Sequence, residues 1–171
     1  TDLYVGGSDH LIRKIDTLTN AVTTIAGTAG VTNSIDGVGA SASFFHPSGI
    51  TAIGTDLYVA DKSNNKIRKI DTLTNAVTTV AGDHNTGSTD GVGTNARFND
   101  PRALLAIGTD LYVADRSNNL IRKIDTLTNT VTTIAGNGLS WDGVSGAADG
   151  TGTAASFNYP EGMALIGTDL Y

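Results

Sequence analysis

Histidines are the side chains of this sequence best suited to proton transfer or metal binding near neutral pH. The three histidines, His10, His46 and His84, lie at three different places within an internal repeat, so that none recurs at an equivalent position. The residues that correspond to His46 in the later copies are Asp100 and Tyr159, which do not complete a zinc triad. The sequence contains no cysteine, which excludes disulfides and thiolate metal sites. We therefore expect no cofactor and no catalytic centre.

Aspartate and asparagine recur together in two short turns. Asp61 and Asn65 belong to one turn, and Asp115 and Asn119 belong to the other. These four residues could bind a ligand or partner if the turns line an exposed rim. Aspartate and asparagine in tight turns also bond to their own backbone, and recurrence within a copied segment favours this second interpretation.

Calcium is the metal for which the chain offers weak candidates. An Asp-Gly-x-Gly sequence begins at Asp36, Asp90 and Asp149, and carboxylate and carbonyl oxygens suit this ion. Each copy has few acidic residues and no EF-hand spacing, so these aspartates are more typical of turns. The third copy adds Asp142, which makes Asp142 and Asp149 the best local candidates.

Two further features indicate contact surfaces. Trp141, the only tryptophan, lies in a loop insertion, where it could bind a partner or fill a gap between elements. An Arg-Lys pair recurs once per repeat, and we expect its aliphatic stems to cover apolar surface while the charged ends lie at an edge. The alternative, a stripe that binds polyanions, is disfavoured by the formal net charge of -6.

A repeat that fills the chain must position these residues. The string TDLY begins at Thr1, Thr55, Thr109 and Thr168, with spacings of 54, 54 and 59 residues. A period this long indicates a solenoid, a propeller or an array. Residues 55–82 and 109–136, here called the cassette, agree at 24 of 28 positions. We divide the single predicted domain into residues 1–54, 55–108, 109–167 with a five-residue insertion, and 168–171.

The sequence of each repeat predicts four short β-strands and no helix. In the second copy they lie at 54–61, 67–71, 76–82 and 103–108, with a long polar loop at 83–100. Ile67 and Ile70 should lie on opposite faces because side chains alternate along a strand. A four-stranded meander that is apolar on both faces is stable when such units stack radially, which predicts an all-β fold of β-propeller blades. The crossing loops and strand turns then share one rim.

The repeat resembles the NHL repeat. The pattern LYVAD-x-x-N-N-x-IRKID, followed by VTT-[IV]-AG and DG-x-G-x-x-A-x-F-x-x-P, carries this resemblance over essentially the whole chain. The resemblance implies a propeller, commonly six-bladed, with a binding or scaffolding role, and this Thr-rich form is similar to secreted bacterial members. Some members are lyases or carry metals, which keeps a metal-dependent lyase or lactonase-like enzyme as an alternative.

Three repeats fall short of a closed ring, since propellers have about four to eight blades. We expect a partial or half ring that another chain or further blades complete. Head-to-tail contacts of this kind close into rings or extend into filaments. The expected assembly edges are Leu3, Tyr4, Val5, Ala164, Leu165 and Ile166.

Composition limits the class of partner. The acidic balance disfavours nucleic acid, which needs a clustered basic surface, and no apolar run reaches the ~18 residues of a membrane span. We predict a noncatalytic, extracellular, bacterial structural or interaction module whose partner is a second copy or another protein. A carbohydrate- or peptide-binding module that uses Trp141 is a further alternative.

Overall fold

The computed structural model describes residues 2–138, 146 and 148–171. Within them the strands are β1 Asp2–Gly6, β2 Ile12–Asp16, β3 Val22–Ala26, β4 Gly37–Val38, β5 Pro47–Ile53, β6 Asp56–Asp61, β7 Lys66–Asp71, β8 Ala76–Ala81, β9 Gly91–Val92, β10 Pro101–Ile107, β11 Asp110–Asp115, β12 Leu120–Asp125, β13 Thr130–Ala135, β14 Leu165–Ile166 and β15 Asp169–Leu170. The helical elements in the same residues are 3-10 turns at Gly39–Ser41, Lys62–Asn64, Gly93–Asn95, Arg116–Asn118 and Gly152–Ala154.

The strands form a series of antiparallel meanders. β5, β6, β7 and β8 pair in sequence order and make the second blade, and β10 to β13 make the third. β1 to β3 form the first blade, and a short hairpin of β14 and β15 follows the third. The predicted all-β fold of four-stranded antiparallel blades is therefore confirmed.

The crossing loops contain more structure than the sequence predicts. β4 and β9 lie in these loops and pair with the outermost strands β8 and β13, so that a short fifth strand covers the outer edge of the second and third blades. Two-residue strands are too short to show an alternating pattern. The innermost strand of the third blade also begins earlier than predicted, because Pro101 pairs with Asp115 as its first residue, a position that proline tolerates.

The apolar core lies between blades rather than within one blade. Ile67 and Ile70 are both fully buried, but they belong to different clusters because they lie on opposite faces of β7. One cluster lies between the first and second blades and includes Ile12, Phe44, Leu57, Val59, Ile70 and Val77. The other lies between the second and third blades and includes Ile67, Phe98, Leu104, Leu111, Val113 and Ile124.

The described residues contain no helix that is both long and apolar enough to cross a membrane.

The innermost strands of the second and third blades, β5 and β10, approach each other closely at Gly49. A β-carbon there would lie 2.5 Å from the carbonyl oxygen of Arg102 and 2.8 Å from the backbone nitrogen of Leu104. We expect Gly49→Ala to lower the free energy of unfolding by about 1–3 kcal/mol, because β5 and β10 must move apart. Urea denaturation measures this change.

Gly162→Ala is the matched control. Gly162 holds the corresponding position of the third repeat, and no atom lies within 4 Å of the β-carbon that this substitution adds. Gly162→Ala should change the free energy of unfolding by no more than about 0.5 kcal/mol. Equal losses for the two variants would contradict the close packing of β5 against β10.

Candidate functional site at the loop rim

The strand registers bring the crossing loops and the strand turns to one end of the blades. Pro47 pairs with Asp61, and Pro101 pairs with Asp115, so each innermost strand begins beside the end of the second strand. We call this end the loop rim. It comprises residues 8–10, 45–48, 61–65, 99–102, 115–119 and 158–161.

A fully buried arginine lies beneath the rim in the second blade. Arg68 donates to the Asp61 carboxylate at 2.9 Å and to the Asp36 carboxylate at 2.7 Å. It also donates to the carbonyl oxygens of Ile35 and Ser43. Its guanidinium therefore fastens the incoming crossing loop to the blade that this loop enters.

The third blade repeats the same arrangement. Arg122 is fully buried and donates to Asp115 at 2.8 Å and to Asp90 at 2.7 Å. It also donates to two crossing-loop carbonyl oxygens, those of Thr89 and Arg97. The guanidinium carbon lies 5.2 Å from the centre of the Phe98 ring. Charge-assisted bonds and ring contact together offset the loss of hydration.

This burial corrects the expectation for the Arg-Lys pairs. The arginines of the second and third blades do not place their charged ends at an edge, because carboxylates from a turn and from a distant loop surround them. The lysine side chains are not buried in this way. Lys69 and Lys123 are part-exposed and pair with Asp56 and Asp110, respectively.

The two turn aspartates are buried, and their partners are within the protein. Asp115 accepts from the backbone N–H of Asn99 at 2.8 Å, from the Asn118 amide and from Arg122. Burial raises the pKa of Asp115 to about 6, although these donors oppose the rise. Burial likewise raises the pKa of Asp61. The placement of both side chains favours the turn interpretation over ligand binding.

The two turn asparagines connect each blade to the loop that leaves it. The side-chain oxygen of Asn65 accepts from the Asp100 backbone N–H at 3.0 Å, while its amide donates to the carbonyl oxygen of His84 at 3.0 Å. The side-chain oxygen of Asn119 accepts from the Tyr159 backbone N–H at 2.7 Å. Both asparagines are buried, so they too support packing between repeats.

The Asp-Gly-x-Gly aspartates also have structural partners. Asp36 accepts from Arg68 and from the backbone and side chain of Thr79, and Asp90 accepts from Arg122 and Thr133 in the same way.

The remaining calcium and ligand candidates are placed as follows. Asp149 is exposed, whereas Trp141 and Asp142 lie outside the described residues. Among the residues that the structure describes, no three His, Asp or Glu side chains are grouped to hold a metal.

The predicted assembly edges expose apolar side chains. Leu3 is 55% exposed, Val5 48% and Ile166 66%. Tyr4 and Leu165 are partly covered, and the backbone of Ala164 pairs with that of Tyr171.

A group of charged rim residues was missed by sequence reasoning. Two arginines and two carboxylates form a network here called the rim charge cluster. Arg116 donates to Glu161 at 2.7 Å and to Asp100 at 3.1 Å. Arg102 lies 3.3 Å from Asp100 and 3.8 Å from Glu161. The Arg116 guanidinium also lies 4.5 Å from the centre of the Tyr159 ring.

The signal that could have revealed this cluster is divergence between copies. Its members occupy positions at which the repeats differ, whereas the buried arginines and turn aspartates are identical in copies two and three. The three sets of corresponding residues are His46, Asp100 and Tyr159; Ser48, Arg102 and Glu161; and Lys62 and Arg116.

Comparison with known proteins identifies the type of repeat. No family model matches the chain. The chain is 42% identical over 103 residues, 57% of its length, to NHL repeat-containing protein 2 from Bos taurus. It is 39% identical over 92 residues, 53% of its length, to SUPPRESSOR OF QUENCHING 1 from Arabidopsis thaliana. Its repeats are similar to those of the NHL repeat-containing proteins.

The chain spans only a small part of the length of each relative. The chain spans 14% of the bovine protein and 9% of the Arabidopsis protein. A solved structure from Bacteroides ovatus, described as an auxiliary nutrient binding protein, matches 95% of the chain with a TM-score of 0.72 and 23% identity. The chain covers 40% of that structure. At this identity the likeness shows the fold alone.

Removal of a buried guanidinium tests the structural assignment. We expect Arg122→Met to lower the free energy of unfolding by about 3–5 kcal/mol, because it leaves Asp115 buried without its counter-ion. The loss should be smaller at pH 5 than at pH 8, since burial already raises the pKa of Asp115 and the uncompensated carboxyl can take up a proton. Chemical denaturation at the two pH values measures both effects.

Lys123→Met is the matched control, because Lys123 is the next residue and its ion pair with Asp110 is part-exposed. It should change stability by no more than about 1 kcal/mol. Similar losses for the two variants would contradict the special role of the buried arginine.

Proposed function

We propose that the chain is a noncatalytic interaction module and that a protein partner binds at the loop rim, over the rim charge cluster. The observation that carries this proposal is the separation of two classes of residue. Arg68 and Arg122, which hold a position that is identical between these repeats, are buried in contacts that hold loops to blades. The members of the rim charge cluster, which hold positions that differ between repeats, lie at the rim and are at least partly exposed.

The chemistry of the cluster suits a partner with both charged and apolar groups. Glu161 is 56% exposed at its side chain, and Arg102 is 33% exposed. Tyr159 is 39% exposed, and a guanidinium lies against its ring. Arginine and tyrosine together are typical of energetically important positions in protein interfaces.

One comparison supports a binding role. The similarity to NHL repeat-containing proteins supports a β-propeller interaction module. We infer in addition that the module is extracellular and bacterial, an inference that rests on its acidic, Lys-poor and Thr-rich sequence and on its resemblance to secreted bacterial NHL proteins.

A second candidate function is self-association through the assembly edges. The observation that favours it is the exposure of Leu3, Val5 and Ile166 beside short strands. Exposed apolar strand edges pair readily with other strands. Association of copies through these edges would join blades from different chains.

Selection from a displayed peptide library tests whether the loop rim is the binding surface. Peptides selected on the native chain should lose at least about tenfold in affinity for Arg116→Glu, because the substitution reverses the charge beside Tyr159 and Glu161. Lys123→Glu is the control, since Lys123 lies on a strand away from the rim, and it should retain the affinity. Selected peptides that bind both variants equally would exclude the rim as the binding surface.

Light scattering after size-exclusion chromatography measures the mass of the chain in solution and so tests association through the assembly edges. We expect the native chain to form a dimer or larger species, and Val5→Lys to shift it towards monomer, because a lysine on an edge opposes strand pairing. Leu73→Lys is the control, since Leu73 is 80% exposed but lies in the turn between β7 and β8. A native chain that is monomeric at high concentration would rule out self-association.

A further inference from the structure

A histidine replaces the turn asparagine at the junction of the first and second blades. Asn65 and Asn119 each accept a backbone N–H from the following loop with an amide oxygen. The corresponding residue of the first blade is His10, which accepts the backbone N–H of His46 with its Nδ1 atom at 3.2 Å. His10 is 8% exposed. The same bond is therefore made by an imidazole at one junction and by an amide at the other two.

The histidine lies within a ring cluster that the other junctions lack. The ring of His10 lies 4.8 Å from that of His46 and 5.5 Å from that of Phe45, centre to centre. Nδ1 of His46 lies 3.2 Å from the Ser63 hydroxyl. At the other two junctions, the residues that correspond to Phe45 and His46 are Asn99 with Asp100 and Asn158 with Tyr159.

Imidazole and amide differ in their response to acid. A neutral imidazole has one nitrogen that accepts a hydrogen bond, whereas both nitrogens of an imidazolium are donors. Nδ1 of His10 can accept the backbone N–H of His46 only while it carries no proton. An amide oxygen keeps its acceptor capacity across this pH range.

We propose that the junction between the first and second blades is a pH-sensitive latch, in which proton uptake by His10 breaks its bond to the His46 backbone and loosens the loop rim at this junction alone. The charge that His10 gains also faces the neighbouring His46 ring, so that it opposes proton uptake by His46. The junctions closed by Asn65 and Asn119 do not respond in this way.

The sign of the effect follows from proton linkage. Burial, together with the nearby His10 and Lys62, lowers the pKa of His46. The closed junction therefore binds fewer protons than the open one, and its stability falls as pH drops below about 6.5, the ordinary value for histidine.

Lys62 also faces this junction, where its charge contributes to the lowered pKa of His46, and two carboxylates on the same elements are paired. Asp9 is joined to Arg13, and the buried Asp61 is joined to Arg68. The pKa of Asp61 is raised by burial, so its contribution to stability changes in the opposite direction, falling as pH rises. That contribution is the same in the native chain and in a variant of His10, and it cancels when the two are compared.

Amide hydrogen exchange by NMR tests the latch. From pH 7.5 to pH 5.0, and after correction for the intrinsic exchange rate, the protection of the His46 amide should fall by roughly fivefold or more, the effect of losing about one hydrogen bond. The amides of Asp100 and Tyr159 serve as internal controls and should show no comparable fall. Equal pH dependence at all three amides would overturn the proposal.

Exchanging the two residue types provides the second test. His10→Asn should abolish the excess pH dependence at His46, and Asn65→His should transfer it to the Asp100 amide. An unchanged pH profile in His10→Asn contradicts the latch. If His10→Asn does not fold, the ¹⁵N chemical shift of His10 Nδ1 in the native chain tests the latch instead. An unprotonated Nδ1 at pH 7.5 that gains its proton as His46 protection falls supports the latch, and an Nδ1 that carries the proton at pH 7.5 refutes it.

Discussion

Burial of a guanidinium under the loop rim constrains much of the surrounding structure. Arg68 reaches a carboxylate at the end of its own sheet and another in the crossing loop, together with two loop carbonyl oxygens. A buried charge is tolerated only when it is paired and hydrogen-bonded, so the strand, the turn and the loop must be positioned together. In the first blade the aspartate is replaced and the arginine is not buried. Gly7 stands where the second blade has Asp61, and the corresponding Arg13 lies 44% exposed beside Asp9.

This constraint separates the residues that build the repeat from those that are free to vary. The cassette residues hold loops to blades and close the core between blades, and their near-identity follows from that packing. The rim positions before and after each innermost proline carry little of this packing, and there the copies hold different charges and rings. A binding surface that varies above a constant framework is a common use of loops on a rigid scaffold. The His10 junction lies on the same rim, but at a different junction from the rim charge cluster that we propose for the partner.

Much of the fold could be predicted from the sequence, because the repeat period, the short apolar strands and the turn residues agree. Ile67 and Ile70 were correctly placed on opposite faces by alternation alone. The short β4 and β9 could not be predicted, since two residues show no period. The burial of Arg68 and Arg122 could not be predicted either, because Asp36 and Asp90 lie 32 residues before their arginines. The rim charge cluster could not be predicted from recurrence, because its members lie at positions where the copies differ.

A double-mutant cycle between Arg122 and Asp115 tests the central claim most directly. The stabilities of the native chain, Arg122→Met, Asp115→Ala and the double variant are measured by urea denaturation at pH 7. If the aspartate is what permits the arginine to be buried, the two changes are strongly coupled, with an interaction energy of about 2 kcal/mol or more. Additive effects, within about 0.5 kcal/mol, would contradict the account, because the arginine would then be buried independently of its carboxylate.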